Sequence, residues 1–539
     1  MRRQAWSAEG GEHASSAQEA PSTQEATAEA HHEAHRAATE FRKSTSIQIA
    51  CKRWHAGLSA TSLLKLQAAV ELLVTWSPVQ VGTVFTGSDI VIHVLHAFAR
   101  EWKIIFDKDV VFQARLQCES DEEVQHFLLN VFGEGLQGPH LFKDAAHLQN
   151  LSAFCERTKS EVVVPPLHMV VAGVVCVDRS PMNTKSSSMV NCVQNCSGET
   201  GESASLLLSF IDKCRPNIVL LECVKGLAQK VSWAALSDSE YISQEFASRN
   251  YGCLEATVAA ENHGSQARRS RLYWPALKGQ DIRLADVQTA IAETKIGKLP
   301  LECFIDKDAQ EQEDFEFALE DELSASTRAA KRPKDAPKWQ DFHMAMFLKG
   351  GLSWPPTSAD WKSLPQNMTA AMESAGKRIS ERQKEILYYL EKTEPYACHG
   401  NPQWVNILHS MEFLVGQEAT REAYSEEIPT LTTKAQIWMR QCDGDGHEEC
   451  FHRLLSGENM MELIGWDRSY YNGSSDRFSQ KLLTHLAGNA FSAFGIGPIL
   501  LATFVNLVGA SGHGRRAEEA IIIDEEGSDH SIDAEDDDR

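Results

Sequence analysis

The sequence predicts an α/β fold built on a parallel sheet, with a second, smaller lobe. Three observations carry this. Residues 169–172 and 218–221 are short runs that are apolar at every position, the pattern of strands buried on both faces. Both runs end in polar segments that hold reactive side chains. Strand-like and helix-like stretches alternate up to about residue 275, which implies crossovers between parallel strands, and the rhythm stops at 276.

Residues 1–45 are rich in Ala, Glu, Ser, Gln and His and too poor in bulky apolar residues to bury a core, so they read as a disordered tail. Residues 57–75 have helical periodicity with Ser or Thr as a cap. A short strand near 81–85 then breaks at Thr86, Gly87 and Ser88, and a helix resumes from Val91. A glycine turn between strand and helix lets backbone approach a ligand at the helix N-terminus. Residues 110–119 read as a second strand ending in Glu119. That acid is either a solvated strand end or placed to bond ribose hydroxyls.

Cys176 follows the run at 169–172, with Asp178, Arg179 and Ser180 next to it. A lone cysteine is more often a small buried hydrophobe. This one lies just past a parallel strand, where open α/β sheets place their ligand crevice. Glu222 ends the second apolar run, so a carboxylate can face the thiol across that crevice, as a proton donor faces a nucleophile. Between 180 and 215 lies a polar loop with Lys185, Asn191, Cys192 and Cys196, followed by a helix over 205–214. Its Cys-x-x-x-Cys pair lacks a second pair at zinc spacing. Arg269 and Arg271 precede an apolar strand and share one face of it, two guanidinium forks suited to a phosphate or a base carbonyl.

Residues 276–440 hold an acidic run at 306–323, a Pro/Lys linker within 304–338 and an amphipathic helix over 377–392. They read as a separate lobe. Cys442, His447, Cys450 and His452 fit no zinc pattern, so no metal is expected. The run 496–510 is too short for a membrane span and suits a core helix. Residues 511–539 form an acidic tail, in which Ile521, Ile522 and Ile523 precede three acids; such a segment can add a strand to a partner's sheet.

Taken in order, these segments resemble the DNA (cytosine-5) methyltransferases. A-G-V-V-C-V-D-R-S resembles the family's nucleophile motif, and R-P-N-I-V-L-L-E-C-V-K-G-L its acid motif. Phe85 and Gly87 match the cofactor turn F-x-G-x-G, with Asp89 at the second glycine. Glu119 and Asp144 resemble the two cofactor acids, Arg269 and Arg271 the Q-x-R-x-R arginines, and Gly488-Asn489 the last motif. Residues 428–438 and 452–466 resemble the motif that braces the recognition lobe.

The resemblance implies a Rossmann-like S-adenosylmethionine-dependent methyltransferase fold. Its catalytic domain is expected over 46–275 and again over 441–510, with a target-recognition lobe over 276–440. It implies methyl transfer to C5 of cytosine in DNA, with Cys176 as nucleophile, Glu222 as acid, and Arg269 or Arg271 on the base carbonyl and lowering the thiol pKa. Phe85, Gly87, Ser88, Asp89, Glu119, Asp144 and Asn489 are expected around the cofactor; Asp89 either reaches the methionine ammonium or blocks the site. The loop after Ser180 is expected to close over a flipped base. The tail isoleucines resemble a SUMO-interacting segment, and a nuclear location follows from the substrate. Val175, Cys223 and Asp89 depart from the family's Pro, Asn and Gly. The alternatives are a catalytically silent module that binds cofactor or DNA, and a cytosine-5 methyltransferase acting on RNA.

Net charge is −23, of which residues 524–539 and 306–323 carry −8 each and residues 1–40 carry −4, leaving about −3 for the rest. Acidity in tails and a linker argues against tight non-specific DNA binding and leaves room for a local basic cleft. No secretory leader is read, and the thirteen cysteines are expected as reduced thiols of an intracellular protein.

Overall fold

The computed structural model describes residues 45–508, apart from 134–137, 181–190, 231–235, 281, 306–338, 394–401, 410–413, 415–423, 443–449 and 472–477. Both tails, the acidic linker and Ile521, Ile522 and Ile523 therefore lie outside the described residues.

Two helices precede the first strand, α1 (Ser46–Gly57) and α2 (Ala60–Thr75). The sequence pattern marked only the second. Thr45 starts α1 with a capping box to Gln48, and Ser59 caps α2. There follow β1 (Val79–Val84), α3 (Ile90–Phe106), β2 (Phe112–Cys118), α4 (Glu122–Val131), β3 (His140–Phe142), and the hairpin β4 (Ser152–Cys155) and β5 (Ser160–Val163). The chain then returns through β6 (Met169–Gly173), α5 (Gly198–Cys214), β7 (Ile218–Cys223), α6 (Asp238–Ser248), β8 (Tyr251–Cys253), β9 (Ala256–Ala259), β10 (Ser270–Lys278) and α7 (Leu284–Glu293).

These strands form one sheet in the order β5-β4-β3-β2-β1-β6-β7-β10-β8, with β9 also on β10. The pairs of β2 with β1 and β3, of β1 with β6, and of β6 with β7 are parallel. β10 runs antiparallel to β7 and β8. The fold is thus α/β and Rossmann-like. The order reverses at β1: the chain moves outward through β2 and β3, then comes back to lay β6 on the other side of β1. A crevice opens at such a switch point, beyond the carboxyl ends of the strands.

Both faces of the sheet are covered. Val81, Val171 and Leu220 join one core with α1, α2, α3 and α7, and Val84, Ala172 and Leu221 join the other with α5 and α6. Alternate side chains of each strand therefore feed opposite layers, which is why these strands read as continuously apolar.

The smaller lobe comprises α8 (Trp339–Lys349), α9 (Ser358–Lys362), α10 (Gln366–Ala375) and α11 (Glu381–Thr393), with a sheet of β11 (Gln403–Asn406), β12 (Ile437–Cys442) and β13 (Cys450–Leu454). Its core runs from Met346 to Leu454. The boundary expected at 276 is corrected: 276 falls inside β10, and α7 packs into the main core through Val287 and Ile291. The boundary at 440 likewise falls inside β12. The strand–helix rhythm stopped near 276 because β10 is the sheet's antiparallel insertion, not because a domain ended there.

Three helices complete the main domain: α12 (Gly457–Leu463), α13 (Gln480–Asn489) and α14 (Ala493–Val505). Every residue of α14 is buried. The stretch Gln480–Val505 has the length and apolarity of a membrane span, yet 89% of its most apolar window is buried inside the fold.

Candidate active site

The switch point brings together residues spread over four hundred positions. On one side of it, the turn after β1 carries Phe85 (φ 56°), Gly87 (φ 72°) and Asp89 (φ 58°), all in left-handed conformations. A side chain on Gly87 would meet Ala490 Cα at 2.9 Å, so backbone from the α13–α14 junction packs directly on the turn. Ser88 is fully buried, and its hydroxyl accepts a hydrogen bond from Trp466 Nε1 at 2.7 Å.

Asp89 is 1% exposed and turns inward. Its carboxylate accepts from Thr83 Oγ1 at 2.8 Å, from Gln117 Nε2 at 2.5 Å and from Thr86 Oγ1. Burial lifts its pKa, and the three donors oppose that rise. The expectation that Asp89 reaches an ammonium group is therefore corrected. The acid ties β1 to β2 beneath the turn, and its left-handed backbone is the conformation a glycine would supply there.

Glu119 follows β2. Its Oε1 accepts the amides of Ser120 at 2.9 Å and Asp121 at 3.2 Å, which leaves Oε2 without a hydrogen bond among the described residues. Burial, with Asp121 and Asp89 nearby, pushes its pKa up to about 7. Asp144 is exposed after β3 and caps a short 3₁₀ turn through the Ala146 amide at 2.8 Å. Gly488 and Asn489 end α13 rather than forming a free turn before α14. Asn489 is exposed, with Nδ2 3.1 Å from His485 Nε2, while His485 pairs with Asp121 at 3.3 Å. Gly87 packs on Ala490, next to Asn489, and Phe85 N donates to Cys118 O, next to Glu119, so these residues gather at the end of β1, while Ser88 and Asp89 are buried beneath them. The close backbone approach at Gly87 and the free oxygen of Glu119 fit a ribose-bearing cofactor such as S-adenosylmethionine.

On the other side stands the reactive cluster. Glu222 is the register partner of Gly173 in β6 and of Tyr273 in β10, and it is buried. Arg271 Nε lies 3.0 Å from Glu222 Oε1. Burial raises the Glu222 pKa, and Arg271 and then Arg269 pull it back only in part. Cys176, half-buried three residues past β6, lies within electrostatic reach of Glu222, Arg271 and Arg269. Its thiol is pushed up, first by burial and then by Glu222, against both arginines. The expectation of an arginine-lowered thiol pKa is corrected on that ground: desolvation outweighs the guanidinium field.

Arg269 is directed elsewhere. Its Nη1 donates to Gly488 O at 3.3 Å and its Nη2 to Ala490 O, and burial draws its pKa down to about 10. It joins the reactive cluster to the cofactor wall. Arg271, by contrast, keeps Nη2 without a hydrogen bond among the described residues, its Nη1 donating to Ser270 O at 3.0 Å. Arg271 is thus the arginine of the two with a donor to spare.

The loop expected to close over a base falls partly outside the described residues, including Lys185. Its described end is packed: Cys192 is buried and its thiol donates to Asp238 at 3.5 Å. Ile428, in the segment expected to brace the recognition lobe, accepts a hydrogen bond from Arg268 N at 2.9 Å and is buried in the main core. Among the described residues no group of three or more metal-ligating side chains forms. Sequence reasoning missed Ser203, Gln117 and Trp466, whose contacts span 28 to 378 positions and leave no local signal.

No protein-family profile matches the sequence, and no curated protein matches it. Solved structures do align with the chain. A Dnmt2 methyltransferase from S. pombe aligns at 11% identity and TM-score 0.36, covering 78% of this chain and 97% of that one. A prophage-encoded protein from E. coli, assigned as a DNA modification methyltransferase, aligns at 12% and 0.39, covering 80% and 99%. The methyltransferase EhMeth from Entamoeba histolytica aligns at 11% and 0.37, covering 80% and 99%. With TM-scores below 0.5, the chain's own geometry carries the functional reading.

Proposed function

We propose that the protein transfers a methyl group from S-adenosylmethionine to C5 of a flipped cytosine in DNA, through a covalent bond to Cys176. One observation carries the reading. A thiol, a protonatable acid and an arginine with a free donor meet where the carboxyl ends of β6 and β7 adjoin the amino end of the antiparallel β10, beside the glycine turn of β1.

The raised pKa of Glu222 keeps it protonated further toward neutral pH than an ordinary carboxyl, so it is suited to give a proton to cytosine N3. Arg271 Nη2 meets the base O2. Protonated or hydrogen-bonded in this way, the ring becomes electrophilic at C6, and Cys176 Sγ adds there as the thiolate, its proton passing to solvent water. While Glu222 still carries its proton it places no negative charge beside Cys176, so the thiol ionises more readily before the proton moves to N3. Phe85, Gly87 and Glu119 would hold S-adenosylmethionine, which supplies the methyl group taken up at C5. Loss of the C5 proton to solvent water then lets the Cys176–C6 bond break and restores the aromatic ring, and the N3 proton returns to Glu222. The thiol must reach the ring face, so the base leaves the helical stack. A nuclear location follows from a DNA substrate.

The test is a duplex pool carrying 5-fluorocytosine, incubated with protein and S-adenosylmethionine. Fluorine blocks the elimination, so a denaturation-resistant adduct that disappears in Cys176→Ala establishes nucleophile and reaction class together. An adduct on the matching RNA pool alone moves the substrate to RNA. No adduct on either pool, with cofactor binding intact, overturns catalysis and leaves a binding module.

A further inference from the structure

We infer that Ser203, on α5, is a positioning residue for Cys176 and acts through the amide of Val175; the inference deepens the nucleophile reading and rests on it. The last ladder bond of β6 runs from Val174 N to Glu222 O at 2.9 Å, and Cys223 Sγ donates to Val174 O at 3.5 Å. Beyond that point the sheet no longer holds the chain. Val175 N instead donates to Ser203 Oγ at 3.2 Å, and Ser203 Oγ donates to Thr200 O at 3.0 Å. A hydroxyl offers one donor and two acceptor sites, so both bonds coexist and the second aims the first. Ser203 is 5% exposed, and so keeps its rotamer.

A second tether follows two residues after the nucleophile. Asp178 N donates to Thr200 Oγ1 at 3.3 Å, and Asp178 Oδ2 accepts Thr200 N at 2.8 Å. Arg179 N closes a turn on Cys176 O at 3.2 Å, while its Nη2 donates to Gly226 O at 2.8 Å and Gln229 O at 3.0 Å. The loop is thus pinned on both sides of Cys176. The peptide joining residues 174 and 175 is the first one outside the backbone ladder: the weakly donating Cys223 thiol meets its carbonyl, and Ser203 holds its N–H. Where the family it resembles has a proline ring, this chain has an N–H that needs an acceptor, and the first turns of α5 provide one.

The experiment measures iodoacetamide alkylation of Cys176, read on its own peptide by mass spectrometry over a pH series, alongside the 5-fluorocytosine adduct rate. Ser203→Ala is expected to slow adduct formation about tenfold, the scale of an ångström-sized misplacement or less. It is expected to speed alkylation, with the titration midpoint moving down as the thiol leaves its buried setting. Ser203→Thr restores both rates, and Ser209→Ala on the same helix changes neither. In a Val175→Pro background there is no N–H to hold, so adding Ser203→Ala has no further effect. The inference is overturned by an alkylation profile unmoved in Ser203→Ala, by failure of Ser203→Thr to rescue, or by equal effects in both backgrounds. If Val175→Pro does not fold, the Ala, Thr and Ser209 variants decide alone. Alkylation needs no nucleic acid, so a failure of the methyl-transfer reading is seen separately.

Discussion

Arg271 reaches Glu222 diagonally across an antiparallel pair: Tyr273 is the register partner of Glu222, and Arg271 lies two residues before it on the same face, bringing Nε to 3.0 Å from Oε1. The arginine thereby sets how far burial lifts the acid. Removing it in Arg271→Ala should raise the Glu222 pKa further, because burial is then opposed by Arg269 alone. The proton donor stays protonated to higher pH, so the limb on which activity falls as pH rises should move to higher pH, with a lower maximum. A pH–rate profile of single-turnover methyl transfer checks this. An unmoved limb would assign the titration to another group.

Glu222→Gln keeps the shape of the acid and removes its ionisable proton. Single-turnover methyl transfer should fall about 10²–10⁴-fold, the usual worth of a positioned general acid, while cofactor affinity stays the same. The Cys176 thiol should titrate lower in this variant, because Glu222 is among the groups that push it up. Thiol alkylation against pH reads that shift directly.

How much of this was legible follows from what each residue depends on. The strands at 169–172 and 218–221 were legible because burial on both faces is written in consecutive apolar residues. Cys176, Glu222 and Arg271 were legible because strand ends adjoin the switch-point crevice in any open parallel sheet. Arg269 was placed in the right region with the wrong partner. Its guanidinium goes to Gly488 O and Ala490 O, carbonyls some 220 positions away that only the packing of α13 brings near. The direction of the Cys176 shift was illegible for a related reason. It is a balance of burial against two arginines, and the sequence shows the arginines but not the burial.

Gly87→Ala should weaken cofactor binding sharply. A left-handed backbone costs a non-glycine residue about 1–2 kcal/mol, and the new methyl would also press on Ala490 Cα at 2.9 Å. Relief requires the α13–α14 junction to move off the turn. Calorimetric titration with S-adenosylhomocysteine should show at least a tenfold loss in affinity, since 1.4 kcal/mol is a factor of ten. Trp466→Phe, which removes only the 2.7 Å bond to Ser88, should lose less, about fivefold for a bond worth about 1 kcal/mol.

Glu391 on α11 makes the smaller lobe sensitive to pH. Its side chain is buried near Arg440, and its Oε2 has no hydrogen-bond partner among the described residues. Burial lifts its pKa to about 7 against the pull of Arg440. A carboxyl raised on folding binds its proton more tightly in the folded state. Its contribution is therefore fully present below the ordinary carboxylate pKa and is lost as pH rises through about 7. Glu391→Gln has no proton to lose, so it should unfold at nearly the wild-type temperature at pH 4 and at a higher one at pH 8. The gap is bounded at about 3.5 kcal/mol, given about 1.4 kcal/mol per pKa unit. Thermal unfolding followed by circular dichroism at the two pH values checks this. A difference that shrinks as pH rises would mean that the buried carboxylate is stabilised by Arg440 more than it is penalised by burial.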